Sequence, residues 1–212
     1  NTKKLANKEK GVGFDQLLYI KNKKPYEVLV FNSDGSEADN CINGLRCIAF
    51  LYALNNEAIY IKDRKFVVRS TKSGAEVSGN LPIVNKNNNY YVINFGNNHI
   101  AREYPDIDLI NLENEYVKLK DSKEFEGIKN FNFSIYQKSE NNIAIRTYEN
   151  GAGETLSCGS ATISVAYALM KDTNENELLF ASRGGKTKVL KDNGSIKSEA
   201  NAVILEQGFL NG

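Results

Sequence analysis

Cysteine is the residue type in this sequence best placed to do chemistry, and two of its three copies stand in matching surroundings. Cys41 follows Glu37 after three residues and precedes Ala49 by seven. Cys158 stands in the same way between Glu154 and Ala166. Each is preceded by a polar, glycine-bearing stretch, Ser33-Asp34-Gly35-Ser36 in one case and Asn150-Gly151-Ala152-Gly153 in the other, and each stretch follows a strand-like run. The arrangement strand, loop, cysteine, helix therefore occurs twice, and an internal repeat of this kind can set a whole fold.

A cysteine just before a helix faces unpaired backbone N–H groups and the positive end of the helix dipole, which favours the thiolate by about 0.3–1 kcal/mol. The thiol pKa is then expected to fall below the free value of about 8.5. The same N–H groups, with Asn43 and Gly44 in one copy and Gly159 and Ser160 in the other, can hold a carboxylate, and glycine allows it to approach the backbone closely. If pseudo-symmetry sets the two helix starts face to face, one thiolate removes the proton from an α-carbon while the opposite thiol delivers one to the other face. Two thiols that close titrate as a pair, holding one proton between them at rest. Cys47 lies inside the first helix with no counterpart in the second, and reads as a small buried hydrophobe.

The elements that must position these groups are legible from periodicity. Short alternating runs at 15–20, 26–31, 65–70, 90–95, 143–147, 178–181, 187–191 and 203–205 predict strands. Residues 43–54 and 160–171 are apolar enough for buried helices, and residues 1–10 read as a charged helical segment. The fold class is α+β, many strands around two core helices. At 212 residues and 41% hydrophobic, the chain can build one large domain or two lobes of about 100 residues. The 27 basic and 26 acidic side chains leave no electrostatic footprint for nucleic acid or a membrane surface, so a small molecule or another chain is the expected partner. No apolar run reaches a membrane span and no signal-peptide pattern is present, which reads as cytoplasmic. Three cysteines are too few and too odd in number for a disulfide framework.

Residues 31–37 (Phe-Asn-Ser-Asp-Gly-Ser-Glu) with 41–47 (Cys-Ile-Asn-Gly-Leu-Arg-Cys) resemble the first cysteine signature of the diaminopimelate epimerases. Residues 151–161 (Gly-Ala-Gly-Glu-Thr-Leu-Ser-Cys-Gly-Ser-Ala) resemble the second, and similarity runs from residues 11–16 to a final strand near Gly208. The resemblance implies two pseudo-symmetric lobes, each a mixed or antiparallel β-barrel wrapped around a central helix. The first would span residues 1–92, completed by a last strand within 203–212, and the second residues 93–202, with the site in the cleft between them. It implies interconversion of LL- and meso-diaminopimelate by Cys41 and Cys158 without pyridoxal phosphate, metal or other cofactor, for lysine and peptidoglycan synthesis, and a homodimer as an assembly open to the fold. Substrate-holding side chains would be Gln16, Asn32, Asn97, Asn132 and Asn150 beside the helix starts. His99, the one histidine, sits in Gly96-Asn97-Asn98-His99, which resembles the family's Gly-Asn-Pro-His, and with Glu149 would tune thiol protonation.

Three features depart from the family's pattern. Ile42 takes the place of a glycine after the first cysteine, where a β-branched residue restricts the backbone. Asn150 takes the place of an arginine that grips the distal carboxylate, a charge-assisted contact of about 1.5–3 kcal/mol. The family's opening strand and its Gly-Asn-Asp-Phe-like segment find no match, which predicts an open sheet edge in the first lobe. Two enzyme alternatives stay open at this stage, a racemase of another amino acid and a cysteine hydrolase built on Cys158 and His99. A relative that keeps the fold without the activity and a zinc site of thiols and His99 are the others, the last without supporting spacing.

Overall fold

The computed structural model describes residues 2–209; Asn1 and residues 210–212, which the first helical run and the last expected strand include, lie outside the described residues. After a single helical turn α1 (Thr2–Leu5), the chain forms a hairpin of β1 (Gln16–Lys23) and β2 (Tyr26–Asn32), then helix α2 (Ile42–Leu51) and strands β3 (Asn55–Ile61), β4 (Arg64–Ser70) and β5 (Gly74–Asn80). Strands β6 (Ile83–Asn87), β7 (Tyr90–Asn94) and β8 (Asn98–Glu103) and helix α3 (Leu112–Lys120) follow. A second series then runs β9 (Phe131–Lys138), β10 (Ile143–Glu149), the short β11 (Gly153–Thr155), α4 (Gly159–Thr173), β12 (Glu177–Ser182), β13 (Gly185–Asp192) and β14 (Ser195–Asn201).

All fourteen strands belong to one mixed sheet, ordered β1-β2-β3-β4-β5-β14-β13-β12-β10-β9-β8-β7-β6 with β11 beside β10. The cysteine repeat is a repeat of topology. In the first copy an antiparallel hairpin (β1, β2) leads through α2 to a parallel neighbour (β3), then to antiparallel β4 and β5. In the second, β9 and β10 lead through α4 to parallel β12, then to antiparallel β13 and β14. The copies join where their last strands, β5 and β14, pair antiparallel. Local detail repeats as well. Phe31 bridges to Glu37 ahead of Cys41, and Tyr148 pairs with Glu154 ahead of Cys158. Gly35 and Gly151 turn these loops at φ +87° and +83°, a conformation that L side chains rarely adopt.

Both repeat helices lie in one apolar core. Leu45, Ile48 and Ala49 of α2 and Ile163, Ala166 and Leu169 of α4 pack with Val28, Ile59, Phe180 and Val189 of the flanking strands. Ala49 and Ala166, the matching alanines of the repeat, are both fully buried. Burial on nearly every side of α4 agrees with its uniformly apolar or small residues. A second cluster gathers Leu112, Tyr116 and Leu119 of α3 against Ile100, Phe131 and Phe133.

Four expectations change. The strand expected at 203–205 is absent, because β5 and β14 already fill each other's edges; Val203, Ile204 and Leu205 are exposed, and the joining strand is β14. Of residues 2–10, only Thr2–Leu5 are helical, the one turn of α1. Cys47 is exposed, since position 47 points away from the stripe made by Leu45, Ile48 and Ala49. Helix α3 was not expected, its polar residues masking the three apolar positions that dock it. Strand β1 pairs with β2 alone among the described residues. Among the described residues, no helix is long and apolar enough to cross a membrane.

Candidate active site

Each repeat cysteine is the N-cap of its helix, held in extended backbone just before the first turn. Cys41 Sγ accepts from the Gly44 N–H at 3.2 Å. A side chain at Gly44 would collide with that sulfur at 2.9 Å and with Leu18 of β1 at 2.4 Å, so glycine is what allows the N–H to reach the thiol. Cys158 makes no such cap; its Sγ lies 3.4 Å from the Ser160 hydroxyl.

The two helix starts abut. Asn43 Nδ2, in the first turn of α2, donates to the carbonyl of Ser157, the residue before Cys158, at 3.0 Å. A Cβ on Gly159 would meet Asn43 Oδ1 at 2.6 Å and Ile42 Cβ at 2.9 Å. Gly159 is thus needed for the approach of one helix to the other, and Ile42, fully buried, fills the space its missing side chain leaves.

Glu149 ends β10 beside this junction. The Thr155 hydroxyl donates to its carboxylate, and Cys158 is a second hydrogen-bond partner. Burial pushes the Glu149 carboxyl up while those two contacts pull it down. Asn132 on β9 is buried and accepts from the Asn150 backbone N–H at 2.9 Å. Asn132 sits in register with His99 on the neighbouring β8. His99 is completely buried, its Nε2 3.0 Å from Asn97 Oδ1, which also accepts from Asn40 Nδ2 at 3.1 Å. Its Nδ1 has no partner, and burial lowers its pKa to about 3, so the imidazole is neutral. In the first copy the corresponding strand ends carry Gln16 and Asn32, paired through Gln16 Nε2 to Asn32 Oδ1 at 2.9 Å.

The thiols depart from the expectation of a lowered pKa. Burial pushes Cys41 up to about 12, against the Gly44 N–H and with a further upward push from Glu149. Cys158 is also raised well above its ordinary value, by burial first and then by Glu149. A helix start contributes a fraction of what removing a thiolate from water costs, so desolvation wins in the unliganded chain.

The structure therefore brings together Cys41, Asn43, Gly44, Glu149, Cys158, Gly159 and Ser160, with Asn132 one strand further and His99 and Asn97 beyond it. Gln16 and Asn32 form their own pair at the end of the first hairpin. Asn150 turns away: its Oδ1 accepts from Tyr116 of α3 at 3.0 Å, and it lines an open cleft of about 420 Å³ between α3 and residues 128–131. Sequence reasoning missed Arg46, Asn40 and Thr155. Arg46 could have been found, as a cation on the buried stripe of α2; the other two owe their contacts to tertiary folding.

Solved structures share this fold. A PhzC/PhzF-type protein from Clostridium difficile superposes over 99% of this chain and 87% of its own, with a TM-score of 0.72 at 15% identity. A hydroxyproline epimerase from Agrobacterium vitis does so over 92% and 76%, at 0.61 and 10%. In sequence, the family model for diaminopimelate epimerase matches residues 91–205. The diaminopimelate epimerase of Flavobacterium psychrophilum is 31% identical over 199 residues, covering 88% of this chain and 77% of that protein. That of Buchnera aphidicola is 31% identical over 232 residues, covering 91% and 79%. The chain belongs to the diaminopimelate epimerase family, and it is an isomerase, an amino-acid epimerase.

Proposed function

We propose that the chain interconverts LL- and meso-diaminopimelate through a two-thiol acid/base mechanism. The observation that carries this reading is the pair of cysteine-capped helix starts in direct contact, with one carboxylate, Glu149, acting on both thiols. The substrate's α-carboxylate binds the N–H groups at Asn43 and Gly44 on one side and Gly159 and Ser160 on the other. Gln16, Asn32, Asn97 and Asn132 supply the polar contacts to the rest of the molecule. The resting thiols are protonated; the α-ammonium of the bound substrate is the charge that draws one of them to thiolate, with Glu149 accepting the proton released. That thiolate takes the α-proton and becomes a thiol, the electron pair delocalises into the carboxylate, and the opposite thiol delivers its proton to the other face, becoming the thiolate in turn. His99 acts as a neutral hydrogen-bonding group behind this row.

The same reading divides the chain into two lobes, each sheet half curving around its helix into a barrel, with substrate between them; β6 and β7 then go with the second lobe, so the boundary moves from 92 to the link before Ile83. Closure over substrate then excludes water and strengthens every charge contact. Asn150 favours a second reading, a racemase of an amino acid without a distal carboxylate, because its neutral amide is already engaged by Tyr116.

Exchange of the α-proton in deuterated, reducing buffer, with LL-diaminopimelate and a panel of other amino acids, tests both. Exchange with inversion of diaminopimelate, lost in Cys41→Ala and in Cys158→Ala, is the expected result. Exchange confined to another amino acid replaces the substrate and keeps the mechanism. Full activity in either variant sinks the two-thiol mechanism.

A further inference from the structure

Arg46 is the most anomalous charged group in the molecule. It lies on the apolar stripe of α2 at 3% exposure, between Leu45 and the exposed Cys47. Its Nη1 donates to Asn43 Oδ1 at 2.6 Å and its Nη2 to the fully buried Ser198 hydroxyl on β14 at 3.0 Å, while Nε is buried without a partner. Among the described residues, no carboxylate pairs with it. The acidic groups that act on it are the thiols of Cys41 and Cys47. Burial lowers its pKa to about 10, which leaves it charged at neutral pH. An apolar side chain of similar volume would fill this site without the desolvation cost, so packing alone does not account for a guanidinium here.

The contacts form one line. Ser198 anchors Arg46, Arg46 holds the oxygen of Asn43, and the nitrogen of the same amide holds the Ser157 carbonyl beside Cys158. With its oxygen fixed by a cation, the Asn43 amide can only present its nitrogen to the second helix start. We infer that Arg46 is a positioning residue of the two-thiol site, which braces Asn43 across the junction of the two helix starts and places a buried cation on the helix that Cys41 caps. The inference rests on the two-thiol reading above. The groups acting on Cys41 are Glu149 of β10 and Cys47 of α2, which disfavour its thiolate, the Gly44 N–H, and Arg46, the one cation among them, which favours it. No counterpart cation acts on Cys158; the groups that do are Glu149, the Ser160 hydroxyl and the Ala161 N–H.

The test uses the full chain carrying Cys47→Ser, with Arg46→Met, Arg46→Lys and Ser198→Ala added singly. Iodoacetamide capture of Cys41 and Cys158 is followed against pH by peptide mass spectrometry without substrate, and kcat and KM are measured separately. Arg46→Met should move the Cys41 profile to higher pH and slow its capture at fixed pH about two- to threefold, the equivalent of a few tenths of a pH unit, with a smaller change at Cys158. Arg46→Lys should restore the Cys41 profile, because charge returns. Its kcat should stay about tenfold low with KM little changed, because a single ammonium cannot span Asn43 and Ser198 as the guanidinium fork does. Ser198→Ala should keep the Cys41 profile and lower kcat more mildly. A folded Arg46→Met with the parental Cys41 profile overturns the charge role. Parental kcat in both Arg46→Lys and Ser198→Ala overturns the bracing role. If Arg46→Met does not fold, a Cys41 profile displaced in Arg46→Lys, despite its retained charge, overturns the charge role instead. A parent inactive on every amino acid counts against the two-thiol reading, while the capture profiles still decide whether Arg46 governs Cys41.

Discussion

The two cysteine-capped helices share a topology and differ in what surrounds the sulfur. At the start of α2, Cys41 receives a backbone N–H from Gly44 and has a buried cation, Arg46, on its own helix. At the start of α4, Cys158 has the Ala161 N–H, a hydroxyl from Ser160 and the anion Glu149, which also acts on Cys41, and no cation. The residues after the cysteines differ in the same complementary way: Ile42 fills the space that Gly159 leaves empty. A duplicated strand–cysteine–helix unit thus supplies two thiols on nearly equal scaffolds, and the side chains added to each copy make one thiol easier to ionise than the other. In the two-thiol mechanism proposed above, that asymmetry sets which face gives up its proton more readily.

Removing either thiol should have the largest effect. Cys41→Ala and Cys158→Ala are each expected to lower epimerisation by about 10²–10⁴-fold, the usual worth of a general acid or base. Steady-state turnover at matched protein folding measures this, and a strong loss in only one of them breaks the comparison. Gly159→Ala probes the junction itself. Its methyl would press on Asn43 and Ile42 and should cost about 1–3 kcal/mol in denaturant unfolding, as overpacking does. Ile42→Ala combined with it should recover part of that loss if the two positions are complementary, and none if they are not.

His99 belongs to the row of the second copy, and its effect appears as pH dependence. Its folded pKa, about 3, lies below its ordinary 6.5, so the unfolded chain binds a proton in that interval and the folded chain does not. The stability from this group is complete above pH 6.5 and is lost as pH falls toward 3. Between pH 6.5 and 5.5 the loss should approach about 1.4 kcal/mol per unit, and His99→Gln should lack it. An unchanged slope in the variant removes His99 from the buried row. The smallest effect is expected at Asn150, where Tyr116→Phe deletes one hydrogen bond and should cost about 0.5–1.5 kcal/mol of stability with turnover little altered. A large loss of turnover would instead place the Asn150 contact inside the substrate site.

Much of this arrangement was legible in the sequence. The Glu–Cys–Ala spacing, the flanking glycine loops and the apolar helices are local signals, and they locate both helix starts to within a residue or two. Strands β5 and β14 were not expected because their burial alternates through small or polar residues such as Ala75, Ser198 and Ala200, which carry little hydrophobic contrast; β9 was not expected either, although Phe131, Phe133 and Ile135 carry a clear signal. The thiol pKa was misjudged in direction because a helix start can be read from sequence and the depth of burial cannot. Arg46 stands on the buried stripe of α2, which the sequence does show, but its partner Ser198 is 152 residues away and belongs to a strand that was not expected. Asn150 was expected to face the substrate, and its attachment to α3 depends on a helix whose apolar face is too narrow to stand out.

The most direct test of the asymmetric thiol pair is the pH profile of iodoacetamide capture at Cys41 and Cys158 in the same unliganded sample, resolved by peptide mass spectrometry and with the exposed Cys47 as an internal reference. Capture at Cys41 should rise at lower pH than capture at Cys158, and both should lag Cys47. Cys158 ionising first, or the two profiles coinciding with that of Cys47, would contradict the account.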